Sequence, residues 1–131
     1  MLVVLDYQHF DFEDGFSLDM KPLNVADFQK ILSHMKGFNF RGDSDDMDMA
    51  ISMGFEQLAD ANLAKLSKEI IPAYCQSLKG IQAQENGVVR DCVVDDLTNQ
   101  GAFLPVCLKI IMKLFTISSL TEQEIEDVKK P

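Results

Sequence analysis

The sequence predicts a mainly α-helical protein with a small N-terminal β-hairpin, an α+β chain folded as one compact helical domain around the 103–117 helix. Three observations lead there. Residues 103–117 are apolar around most of a helical circumference, the pattern of a helix buried on several sides. Apolar rows at helical spacing with recognisable caps recur over 24–36, 45–79 and 92–128. Alternation at period two is confined to residues 1–22. A length of 131 residues is that of a single domain, 1–131, able to bury a core without staples.

The N-terminal region opens with the short run Leu2–Leu5. Phe10, Phe12, Phe16, Leu18 and Met20 then alternate with polar residues around an Asp14-Gly15 turn signal. A three-residue loop, Glu13-Asp14-Gly15, places Phe12 opposite Phe16 and Phe10 opposite Leu18, so every apolar side chain shares one face. Gly15 takes the left-handed position that closes such a loop. A two-residue loop would set Leu18 against Asp11 instead.

The first helix starts at the N-cap Asn24, with Leu23 and Phe28 as a hydrophobic staple and Asp27 favoured by the helix dipole. Val25, Phe28, Ile31, Leu32 and Met35 form its apolar face, and Gly37 ends it. Helix resumes near Asp45 and carries Met49, Met53 and Phe55, with Gly54 a break. Asp60 caps the next helix, whose row Leu63, Leu66, Ile70 and Ile71 continues through Tyr74, Cys75 and Leu78 to Gly80. Pro72 inside it predicts a kink or a boundary, because proline removes a helical hydrogen bond.

Residues 81–90 read as a linker or a small hairpin at Asn86-Gly87, and a short helix runs from about Cys92 to Asn99. The central apolar helix follows. Lys109 and Lys113, four apart, make its one narrow polar stripe and interrupt the run short of the ~18 apolar residues a bilayer span needs. It is either the core helix or a helix shared between core and subunit contact. Thr121 with Glu124 forms a capping box, and Leu120 with Ile125 its staple, for a short terminal helix.

Composition excludes several functions. A net charge of −9, from 21 acidic and 12 basic residues, opposes nucleic acid and anionic membrane. Cys75, Cys92 and Cys107 are odd in number and lack metal-type spacing, and no signal peptide is read, which suggests a reducing cytoplasm. His9 and His34 stand alone, no nucleophile motif accompanies them, and the scattered glycines form no phosphate loop. The acidic cluster Asp43, Asp45, Asp46 and Asp48 lacks the glycine and glutamate of a calcium loop, since Asp48 and Gly54 occupy those positions. The reading is therefore a non-enzyme with no metal and no cofactor. Phe38 and Phe40 in a connector, the seven methionines and the apolar central helix suit adaptable contact with another protein.

Two stretches resemble the small tail assembly chaperones of long-tailed bacteriophages and prophages. One is Phe10-x-Phe-Glu-Asp-Gly-Phe-x-Leu-x-Met-Lys-Pro-Leu-x-Val-x-Asp, a hairpin running into the first helix. The other is Val94-Asp-Asp-Leu, then Phe103-Leu-Pro, ending in Ser118-Ser-Leu-Thr-Glu-Gln-Glu. The resemblance implies a non-enzymatic protein of the bacterial host cytoplasm that keeps the tape measure protein soluble during tail assembly. Its partners would be the tape measure protein or tail subunits, and a homo-oligomer is compatible with it. Such families often add a longer frameshifted product, which Lys129-Lys130-Pro131 would suit. The expected client surface is Lys109 and Lys113 with Phe38 and Phe40. The alternatives are a virion structural or head–tail joining protein, and a small metal-dependent enzyme using Asp43–Asp48.

Overall fold

A computed structural model describes residues 2–34, 54–56 and 58–118. Strands β1 (Gln8–Asp11) and β2 (Ser17–Met20) lead into helix α1 (Val25–Ser33). A helical turn at 54–56 precedes α2 (Asp60–Tyr74), which is followed directly by β3 (Cys75–Lys79). Strands β4 (Gln82–Glu85) and β5 (Val88–Asp91), helix α3 (Val94–Asn99), a 3₁₀ turn at Gly101–Phe103 and helix α4 (Leu104–Ser118) complete the order.

The N-terminal hairpin takes the expected register. Phe10 faces Leu18 and Asp11 faces Ser17. The Phe12 N–H donates to the Phe16 carbonyl at 2.9 Å, and the two rings stack at 4.4 Å. Gly15 has a φ of +92°, the left-handed backbone that a three-residue loop demands. Asn24 caps α1 as expected: its side chain accepts from the Asp27 N–H at 2.8 Å.

The protein is mixed α and β, which corrects the expectation of a mainly α chain. Among the described residues 53% are helical and 22% lie in strands, forming two small antiparallel sheets. The difference lies at residues 75–79, where a continuing helix was expected. Pro72 sits in the last turn of α2, and the chain leaves the helix at Tyr74 to pair as β3 with the open edge of β2. Tyr74, Cys75 and Leu78 fit helical spacing, yet Cys75 gains a strand partner in Met20, so long-range pairing overrides the local period. One additional residue on β3 makes a bulge, since Ser17 pairs with Lys79 and Asp19 with Gln76; Ser77 there has a φ of +59°. The second sheet is the Asn86-Gly87 hairpin, in which both turn residues have positive φ, the mark of a type I′ turn. The expected cap Asp60 is instead the first residue of α2, and Ala59 holds the cap position without a side-chain bond.

Helix α4 is the core helix. Cys107, Ile110, Ile111, Leu114, Phe115 and Ile117 are buried, with α2, α3 and α1 packed alongside, in one core cluster with apolar residues of the first sheet. Phe115 is stacked on Phe28 at 4.6 Å and meets the edge of Phe55 at 5.8 Å. Each such side chain contributes roughly 1.5–3 kcal/mol by leaving water. Counted with the preceding turn, Gly101–Ser118 has the length and mean hydropathy, 1.6, of a bilayer span, but its buried third is packed into this core.

Polar contacts lock the helix ends to the hairpin exit. The Ser118 hydroxyl donates to the Leu114 carbonyl at 2.6 Å and accepts from the Leu23 N–H at 2.8 Å. The Tyr74 hydroxyl donates to Asp27 Oδ2 at 2.6 Å and accepts from the Asn24 N–H at 3.2 Å. Gly80 is forced by proximity: a Cβ there would stand 2.4 Å from the Gly15 carbonyl oxygen, on a backbone already at φ +92°.

Candidate functional site

Of the surface expected to hold a partner, the described residues include Lys109 and Lys113. Phe38 and Phe40 lie outside the described residues, as do the Asp43–Asp48 cluster and the Thr121–Glu124 box. Lys109 and Lys113 stand on α4, and both are engaged by the first hairpin. Lys109 forms an ion pair with Asp14 in the hairpin loop, and the Lys113 ammonium lies 5.9 Å from the centre of the Phe10 ring. The polar stripe of α4 thus seats the hairpin on the core.

The histidines have structural settings. His9 bridges two strand carboxylates, with Nδ1 at 3.0 Å from Asp19 and Nε2 at 3.0 Å from Asp11. These two partners, Asp19 before Asp11, favour the imidazolium and raise the His9 pKa. His34 closes the C-terminus of α1, its N–H donating to the Ile31 carbonyl at 3.1 Å. All three cysteines are buried free thiols. Burial pushes the Cys75 thiol up to about 12, far from the range of a reactive thiolate. Among the described residues no group of three or more His, Cys, Asp or Glu side chains is arranged to hold a metal ion.

The surface that stands out is one that residue spacing did not single out. The β4–β5 hairpin leaves the body with every β5 side chain exposed, and Val88 and Val89 are 64% and 57% accessible. Val93, the residue before α3, adds a third exposed valine at 61%. The hairpin is fastened at its base. The Cys92 N–H donates to the Ile81 carbonyl at 2.9 Å, and Cys92 itself is buried. Arg90 makes a two-pronged pair with Asp96 of α3, at 2.9 and 3.0 Å, while the same carboxylate accepts from the Val93 N–H at 2.8 Å. Arg90 first, and then that N–H, hold the Asp96 carboxyl below its usual pKa. Beside the valines, Glu85, Asp91 and Asp95 remain exposed.

A recess of about 350 Å³ between Pro72, Cys75–Leu78 and Val93–Asp95 adjoins this arm. It contains the bulged Ser77 and no cluster of catalytic groups. The one sequence signal for the arm was Asn86-Gly87. It reports the turn, and exposure of the flanking valines depends on what else packs there. Compared with known proteins, no family model matches this chain, and no curated protein or solved structure is significantly similar to it.

Proposed function

We propose that this chain is a non-enzymatic tail assembly chaperone of a long-tailed bacteriophage or prophage. It acts in the bacterial cytoplasm and holds the tape measure protein soluble while the tail tube grows. The observation that supports a binding role is the β4–β5 arm: exposed apolar valines on a hairpin that no described residue covers with a further layer. A two-stranded hairpin is marginal by itself in water, and exposed apolar groups on it gain most from a partner. The acidic balance of −9 keeps such a surface dispersed between encounters. Within the two segments that carry the resemblance, the described residues form a hairpin entering a capped helix, and a short helix followed by an apolar one.

The test is tagged co-expression with the product of the longest helical open reading frame just downstream of the gene. Soluble co-purification of that product supports the reading. If the product stays insoluble and unbound, or no such frame exists, the chaperone reading is wrong.

A further inference from the structure

The pairing pattern of the arm defines a strand position that no described residue fills. The turn is closed by the pair Glu85–Val88, and the bond from the Cys92 N–H to the Ile81 carbonyl falls in the same phase. Antiparallel pairs alternate, so Ala83 with Arg90 is hydrogen-bonded, whereas Gln84 with Val89 and Gln82 with Asp91 are not. The N–H and C=O groups of Val89 and Asp91 therefore point away from β4, and among the described residues no third strand pairs with them. Along this edge Val88 and Val89 are exposed, and Asp91 shares the face of Val89. Arg90, the cation of β5, is already neutralised by Asp96. Glu85, Asp91 and Asp95 leave the neighbourhood negative.

We propose that β5 is a docking edge for an extended, lysine-bearing segment of a partner protein, which adds antiparallel to β5 as a third strand. Backbone bonds to Val89 and Asp91 set its register, β-branched residues opposite Val88 and Val89 cover the valines, and a lysine opposite Asp91 matches the charge. This rests on the reading of the chain as a protein-binding chaperone, and it names the edge and the chemistry of the client segment.

The probe is the blocked peptide acetyl-Lys-Lys-Thr-Val-Val-Thr-Lys-Lys-amide, compared with its counterpart in which glutamate replaces every lysine. Titration is followed by amide NMR and hydrogen exchange on the full chain. The lysine peptide is expected to bind, to slow exchange of the Val89 and Asp91 amides, and to outcompete the glutamate peptide. Val89→Pro removes an outward N–H and leaves the β4–β5 ladder intact, so it should weaken binding about tenfold or more with the Arg90 amide still protected. Asp91→Lys, at an exposed site, should weaken the lysine peptide and favour the glutamate one. Equal binding of both peptides, perturbations away from β5, or indifference to both substitutions overturns the proposal. If Val89→Pro and Asp91→Lys still co-purify the tape measure product, the docking edge is wrong and the chaperone reading survives. If the wild type retains no such product, the chaperone reading fails independently of peptide binding.

Discussion

The two hairpins of this protein start from similar local chemistry and end in opposite environments. Each is an antiparallel pair closed by a turn that ends in a glycine of positive φ, Gly15 in one and Gly87 in the other. In the first, Phe10, Phe16, Leu18 and Met20 are buried, because alternation sets all of them on the face that meets α4 and because β3 extends the sheet. In the second, Val88 and Val89 are adjacent, so one points to each face and a single layer cannot cover both. Adjacency against alternation separates a strand that builds the core from a strand whose side chains are exposed.

The largest effect expected from probing this contrast is Leu18→Ala, which should cost about 2–5 kcal/mol, whereas Val89→Ala should stay within about 0.5 kcal/mol. Denaturant unfolding of the two variants measures the gap, and equal losses would mean the arm is as much a part of the core as the first hairpin. Glycines sharpen the same comparison. Gly80→Ala meets both a positive φ and the Gly15 carbonyl, so its cost should exceed the roughly 1–3 kcal/mol of backbone strain alone. Gly87→Ala, with open space around it, should cost that strain and no more. Next comes Tyr74→Phe, which removes the donor to Asp27 and should destabilise by about 1–3 kcal/mol, visible as a lower melting temperature.

The smallest effects are the pH responses, which differ in sign between the hairpins. The folded pKa of His9 is raised, so its clamp between Asp19 and Asp11 is fully present below the ordinary histidine pKa and is lost as pH rises through the raised value. His9→Gln should erase that acid-side increment in β1–β2. The folded pKa of Asp96 is lowered, so the Arg90 tether is present above the ordinary carboxylate pKa and is lost as pH falls through the lowered value. The protection of the Ala83 and Arg90 amides, with the intrinsic pH dependence of exchange divided out, should fall in acid for the wild type, and at neutral pH already in Asp96→Asn. An arm whose exchange ignores both changes is held by something other than this pair.

Much of the molecule was decided by the sequence itself. The three-residue loop at Glu13–Gly15 followed from requiring Phe10, Phe12, Phe16 and Leu18 to share a face, a constraint internal to the strand period. The cap at Asn24 and the helix over 103–117 rested on residues within a few positions of each other, where side-chain chemistry and apolar period act directly on the backbone. Tertiary structure decided residues 75–79: a segment compatible with helix becomes a strand because β2 has an open edge within reach, and that edge lies far away in sequence. It also decided the roles of Lys109 and Lys113. Their spacing places them on one stripe of α4, but whether that stripe meets solvent or a hairpin depends on Asp14 and Phe10, brought there by the fold. The candidate docking edge belongs with these. An Asn-Gly turn can be read from two residues, while the lack of a third strand beside β5 among the described residues is set by where the other described elements pack.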